Sequence, residues 1–518
     1  MWRCWKAAAS RPAGPSASLV ADVLPGAASS APRDFANVSG ALYFSAQDPT
    51  GGLGVYRSDG TAAGTKLLKN VGPLGAEARA YTALGSNVYF SAYGYLWKTD
   101  GTPKGTAQLA LVGPQAITAM GVKMYFGASE LWVSDGTAKG TKLLKDIDPT
   151  THTVVDRGAG HGEPKTYQAP NNSDPAGFVV LNNTLLFAAS EGTHGRDLWR
   201  SDGTAPGTTL VKDLPGAPEG LTVLGGAAYF AANGGLWRTD GTAAGTSLLR
   251  GIGFDGGISG LTVVGSTLYF RVATWPGGAE LWKSDGTAAG TVPVANIDAA
   301  NLTNVGGRLF FTGTDAAGGS EPWTSDGTAA GTVRVKDINP GGASSNPDSL
   351  TNVNGRLYFA ADDGASGREL WQSDGTPAGT VMVRDIFPGA TGSNPAYLVA
   401  MNSKLYFAAT DPNHGRELWD PPPVPDGDLA TLDFAPRSNA TTGDLVEEFV
   451  ARDGGQSVTG RVGSLGGEAA RHSQRLHAER VARPGGEGRQ RLVHQALGDD
   501  VGGDDVADGD GSRLQVQP

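Results

Sequence analysis

The side chains of this chain that could run acid–base chemistry are a repeated carboxylate and a few histidines. Glu130, Asp197, Glu280, Glu321, Glu369 and Glu417 each stand two residues before a tryptophan. Four of the seven histidines, His152, His161, His194 and His414, fall in loops of the same region. Two carboxylates on either side of a sugar linkage make a glycosidase when they lie about 5–10 Å apart. Sequence spacing does not supply that separation, so ion pairing is the first expectation. Lys145-Asp146, Lys212-Asp213, Lys336-Asp337 and Arg384-Asp385 recur on the strand that follows. Inter-strand pairs of that kind contribute about 0–1 kcal/mol each. No nucleophile elbow, phosphate-cradling glycine loop, His-Glu-x-x-His or Cys-pair motif is present. Cys4 is the single cysteine, which excludes an internal disulfide framework and a cysteine metal site. No metal and no cofactor are expected.

These residues belong to a repeat. The cleanest copy reads Leu370-Trp371-Gln372-Ser373-Asp374-Gly375-Thr376-Pro377-Ala378-Gly379-Thr380. Seven further copies are marked by Tyr56, Trp97, Trp132, Trp199, Trp237, Trp282 and Trp323, each with its turn aspartate: Asp59, Asp100, Asp135, Asp202, Asp240, Asp285 and Asp326. A ninth copy, at Trp419, stops before its turn. The aromatic positions lie about 35–48 residues apart, apart from one gap of about 67, the spacing of an array of small sheet units.

Within one unit, Asp348-Ser349-Leu350-Thr351-Asn352-Val353 meets Arg356-Leu357-Tyr358-Phe359-Ala360-Ala361 across Asn354-Gly355, a strong hairpin signal. A third strand carries Trp371, and a fourth, Val381 to Ile386, follows the Asp-Gly-Thr turn. We call these strands A to D. Nine such meanders over residues 18–420 predict an all-β propeller of four-stranded antiparallel blades, or eight blades if the short unit at Trp132 is degenerate. The start, Ser18 to Gly26, reads like a D strand and its exit, Val381 to Gly389. It is therefore expected to complete the last blade and close the ring.

The repeated residues read as structural. A tryptophan at one phase in every unit packs between blades, where its burial is worth about 4–6 kcal/mol gross. The repeated Asp offers one carboxylate per unit, far from the six to eight oxygens of a calcium site, and suits a tight turn instead. In a meander the A-to-B and C-to-D turns share one face, so variation collects on the other. There the longest loop, 148–176, carries His152, His161, Glu163 and Tyr167, and a B-to-C loop carries Trp275. Together with His194 and His414 these are the candidate ligand-binding residues, with no catalytic residue assigned.

The net charge of −11 offers no basic stripe for nucleic acid. No run of 18 apolar residues exists to span a membrane as a helix. Residues 1–17 read as unstructured, and Met1 to Ser10 carries positive charge without the long apolar stretch of a secretion signal. Residues 421–518 begin at a proline cluster, lack aromatic residues after 451, and read as a mostly disordered tail. Within it Leu445, Val446, Phe449 and Val450 are spaced for one helix face.

The unit Gly-x-Leu-Tyr-Phe, then Glu-Leu-Trp-x-Ser-Asp-Gly-Thr-x-x-Gly-Thr, then Val-Lys-Asp-Ile-x-Pro-Gly, resembles the ELWxxDGT repeat family over residues 18–420. The resemblance implies a bacterial secreted or cell-surface repeat protein of propeller type. The expected function is a noncatalytic, monomeric propeller binding a protein or glycan through its variable loop face. The alternative is a carbohydrate-active hydrolase or lyase using loop acids and histidines around the central channel.

Overall fold

The computed structural model describes residues 17–156, 165–252, 257–274, 277–315 and 319–421, and in the C-terminal part five strand segments between 437 and 495. The chain divides into two compact units, Met1–Pro422 and Pro423–Pro518. The first is a ring of nine four-stranded antiparallel blades, and no helix occurs among the described residues. Blade 8 shows the pattern: strands A to D are Asp348–Val353, Arg356–Asp362, Arg368–Ser373 and Val381–Arg384. The unit at Trp132 is short yet complete, with strands Ile117–Met120, Lys123–Gly127, Leu131–Ser134 and Lys142–Lys145. The ring therefore has nine blades rather than eight.

Blade 9 takes strands A to C from Ala396–Met401, Lys404–Asp411 and Gly415–Asp420, and its D strand from Ser18–Ala21. Ser18 Oγ donates to Asp420 Oδ1 at 2.5 Å, and burial pushes the Asp420 carboxyl up. Asn37 Nδ2 reaches Ala400 O at 2.9 Å and Asn402 Nδ2 reaches Gly40 O at 3.0 Å, so blades 9 and 1 are also stitched side by side.

Each blade is buried on both faces, and the core is a series of wedges between blades. Tyr43, Leu53 and Val55 of blade 1 pack on Val88, Phe90 and Trp97 of blade 2. At the closure Val20, Met401, Tyr406 and Leu418 pack on Leu42, Phe44 and Tyr56. Each motif aromatic lies opposite a strand-B phenylalanine of its own blade, as Trp371 does opposite Phe359. The Phe90 and Trp97 rings stack 6.0 Å apart at 11°. Trp199, Trp237, Trp282, Trp371 and Trp419 are buried, whereas Trp132 and Trp323 are half-buried.

The A strands form the innermost ring, each touching the A strands on either side and closing from blade 9 to blade 1. In eight blades strand A carries a residue with positive φ at a bulge near its start; blade 3 pairs without a break. Glycine fills this place at Gly177, Gly220 and Gly260, and the residue after it packs into the wedge between blades, as Leu221 and Leu261 do.

The Asp-Gly-Thr turns repeat closely. Thr376 donates its backbone N–H (2.8 Å) and hydroxyl (2.7 Å) to Asp374 Oδ1, and Gly375 has φ 92°. A Cβ on Gly379 would lie 2.1 Å from the Asp374 carboxylate, which explains the second glycine of the motif. The strand-B tyrosine of one blade reaches the turn of the next: Tyr89 OH donates to Gly136 O at 3.4 Å.

In the second unit Leu445–Asp453 is a strand paired with Gln456–Val462, not a helix. Asp453 pairs with Gln456 on either side of Gly454-Gly455, a hairpin sequence that outweighs the helical spacing. Arg475–Arg480 pairs with Gln490–Gln495.

Candidate functional site

The B-to-C and D-to-A loops share the face opposite the Asp-Gly-Thr turns, and the strand-C carboxylates lie beneath them. Glu369 is fully buried and accepts four hydrogen bonds. Ile386 N (3.2 Å) and Phe387 N (3.1 Å) come from the end of strand D, and Ser393 N (2.7 Å) and Ser393 Oγ (2.5 Å) from the D-to-A loop. Glu321 repeats this with Ile338 N and with Ser345 N and Oγ. Glu130 does so with Ile147 N and with Ser173 N and Oγ.

Glu417 makes the same clamp on the N-terminal segment. It accepts from Val23 N at 3.0 Å, Ser30 N at 2.7 Å and Ser30 Oγ at 2.6 Å. Burial pushes Glu130, Glu369 and Glu417 up, against the lowering effect of the serine and backbone bonds. Among the described residues the expected ion pairs with strand D do not form. The carboxylates lie under the loops, where unpaired backbone N–H groups are the donors within reach. Lys212 and Lys336 instead donate across to the next blade, to Thr246 O and Thr380 O.

Sequence reasoning missed the other half of this clamp, a Ser-x-Pro tripeptide at Ser30, Ser173, Ser345 and Ser393. Its middle residue, Ala31, Asp174, Asn346 or Asn394, has φ between 43° and 50° and donates its N–H back to the start of a strand C. The signal was present: Glu321 to Ser345 and Glu369 to Ser393 are both 24 residues.

Of the six blades with a carboxylate on strand C, two depart from the scheme. Glu280 Oε2 accepts from Trp282 Nε1 at 2.7 Å. Asp197, one methylene shorter and with no Ser-x-Pro after its blade, accepts only Leu214 N at 2.8 Å. Its Oδ2 is buried without a partner among the described residues, and burial pushes this carboxyl up.

The long insertion between blades 3 and 4 is a two-stranded ribbon, Thr151–Asp156 with Lys165–Pro170. Its base is pinned: His152 Nδ1 meets Asn171 Oδ1 at 2.7 Å, and Asn171 Nδ2 donates to Thr150 Oγ1 at 2.7 Å. Tyr167 stands opposite Val154 in the ribbon. His161, Glu163 and Trp275, and the side chain of Tyr167, lie outside the described residues.

His194 sits in the B-to-C loop of blade 4, with Nδ1 on Glu191 Oε1 and 3.0 Å from Thr193 Oγ1. A Cβ on Gly192 in that loop would lie 3.0 Å from Thr150 Oγ1, so His194 and His152 occupy adjoining loops. His414 lies in blade 9, about half the ring away, with Nδ1 2.8 Å from Asp411 Oδ2. The hydrogen bonds to Glu191 and Asp411 raise the two histidines above their usual range. The candidates among the described residues thus fall in separate places, with His152 and His194 as neighbours.

On the opposite face a cleft of about 440 Å³ opens between the turns of blades 1 and 2, lined by Ser39, Arg57, Ser86, Asp100 and Thr102 among others. Among the described residues no group of three or more His, Cys, Asp or Glu is arranged to hold a metal ion.

No family model and no curated protein sequence matches the chain. Among solved structures it aligns with a puromycin hydrolase mutant in complex with PGG at 12% identity and TM-score 0.37, covering 84% of this chain and 60% of that one. A match to the tricorn protease has 10% identity and TM-score 0.32, with 72% and 47% covered. One to a structure from a study of two prolyl endopeptidases has 12% identity and TM-score 0.37, with 65% and 52% covered. The chain thus spans roughly half to three-fifths of the length of these proteins, and the activities in their descriptions are theirs.

Proposed function

We propose that this chain is a noncatalytic, secreted or cell-surface propeller of the ELWxxDGT-repeat type that binds a protein or glycan through its loop face. The observation that carries this reading is the state of the loop-face acids. Glu130, Glu321, Glu369 and Glu417 are buried and filled with backbone and serine donors. A carboxylate so engaged holds a loop in place and, being buried, is not open to a substrate. The scaffold is rigid, and the one long insertion rises from it as a ribbon with a pinned base, the arrangement in which binding loops are commonly mounted.

One observation favours a hydrolase or lyase: Asp197, with its unpartnered Oδ2, lies within electrostatic reach of His194 and Glu191. A panel of polysaccharides and candidate surface proteins, scored for both retention and product release, separates the two readings. Retention without product is the expected result. Product release lost in Asp197→Asn or His194→Gln at unchanged Tm would overturn it.

A further inference from the structure

The bulge position of strand A lies at the loop-face end of the innermost strands, and a Cβ at Gly177, Gly220 or Gly260 would meet a leucine of the next blade at 3.4–3.8 Å. Where it is not glycine, it is filled by the small residues Asp34, Ala80, Asn301 and Ser349, and in blade 9 by Tyr397. Tyr397 has φ 56° and is 44% exposed. A bulky L-residue is disfavoured in that conformation by the contact of its Cβ with the backbone, which is why glycine takes the place in three blades. Its ring lies 6.1 Å from Phe35 of blade 1, tilted by 36°, and its neighbours at the same level, Ser349 and Asp34, are too small to cover it. Strain held in an exposed aromatic residue, where the fold would accept glycine, points to a role outside packing.

A second observation lies beside it. In blade 8 the guanidinium of Arg368 is bound by Asp348 at 2.6 Å. In blade 9 alanine, Ala396, stands where Asp348 would be, and among the described residues the equivalent Arg416 has no carboxylate partner. Among the described residues its one side-chain hydrogen bond is from Nη1 to Asn394 O at 2.7 Å; burial pushes this guanidinium down, and it lies within electrostatic reach of the Tyr397 hydroxyl. An open aromatic face next to a guanidinium with free N–H donors matches a sugar ring. The C–H face of a pyranose stacks on the phenol, and its hydroxyl oxygens accept from the fork.

We infer that the loop-face mouth of the channel, at the seam between blades 9 and 1, is a saccharide-binding site with Tyr397 as its stacking platform and Arg416 as its donor. This rests on the loop-face binding reading and narrows it to a glycan at a place distinct from the ribbon. A peptide would use a longer apolar groove than Phe35 and the small residues Ser349 and Asp34 beside Tyr397 provide.

The test is a panel of neutral and uronate oligosaccharides against the full chain, followed by calorimetric titration of the retained sugar. Tyr397→Gly should lower affinity at least about tenfold, while Tm stays level or rises because glycine accepts the backbone geometry. Tyr397→Phe should keep most of the affinity. Tyr93→Gly, which removes the other exposed tyrosine with positive φ, should bind as the unaltered chain does. Three results would overturn the proposal: no saccharide retained by the unaltered chain, undiminished binding by Tyr397→Gly, or a lowered Tm in Tyr397→Gly that makes the tyrosine a packing residue. Retention that survives Tyr397→Gly without product release removes this site but leaves the loop-face reading standing, whereas product release removes the latter.

Discussion

The two faces of the ring use one device, a carboxylate accepting backbone N–H groups, in opposite surroundings. On the turn face Asp240 bonds Thr242, two residues ahead, in the open. The Thr242 hydroxyl and amide hold that carboxyl below its ordinary value of 3.8. On the loop face Glu369 gathers donors from 17 to 24 residues away under cover, and burial holds it above 4.5. The exposed version shapes a local turn at little desolvation cost. The buried version fixes where a loop sits, and it accepts a desolvation cost because each unmet N–H beneath the loop would be worse. The turn face is therefore uniform, while on the loop face the segments between anchors vary freely in length.

The strongest way to break this contrast is to remove the segment that the loop-face clamp holds from the far end of the chain. Deleting residues 1–31 takes away both the D strand of blade 9 and the donors to Glu417. We expect the largest fall in Tm of any change considered, with limited proteolysis cutting blade 9 first. Unchanged protease resistance there would contradict the closure.

Glu369→Ala leaves four donors without their acceptor and should destabilise by about 3 kcal/mol in denaturant titration. Gly379→Ala, which places a methyl group against the Asp374 carboxylate, should cost about 1–3 kcal/mol by the same measurement. A larger loss at Gly379 than at Glu369 would mean that the turns, not the clamps, dominate.

The pH profile sharpens the contrast further. The clamp glutamates have folded values above their unfolded ones, so the proton-linked part of their contribution is full below about pH 4.5 and is lost as pH rises through the raised values, leaving the hydrogen bonds to the loop. The turn aspartates are depressed, so theirs is present above 3.8 and lost as pH falls through the lowered values. Tm should therefore rise on moderate acidification and fall on strong acidification, and Glu369→Gln should flatten the first limb alone. The smallest effect is expected for Asp240→Asn, which keeps an acceptor oxygen in the turn and should shift Tm least, while shallowing the acid limb.

The turn face was legible in the sequence because its bonds span two to four residues, so Asp374, Gly375 and Thr376 declare their geometry side by side. The blade repeat and its closure were legible too, from the Leu-Tyr-Phe strands and the likeness of residues 18–26 to 381–389, while the short unit at Trp132 left eight or nine blades open. The clamps were not, because Glu417 and Ser30 meet across 387 residues and only the ring brings them together. A basic residue on strand D, such as Lys336 for Glu321, looked like the natural partner. The structure turns Lys336 toward the neighbouring blade and gives Glu321 to the loop. The strained tyrosine was illegible too, since positive φ at Tyr397 follows from a bulge that glycine marks in only some blades.

The central claim is that the loop-face carboxylates hold the scaffold and the face itself binds without cleaving. The most direct test measures Tm and oligosaccharide product release together on the unaltered chain, Glu369→Gln and Glu417→Gln. The account predicts no product from any of the three and a lower Tm in both variants at pH 7. Product release by the unaltered chain that disappears in either variant, with Tm unchanged, would contradict it.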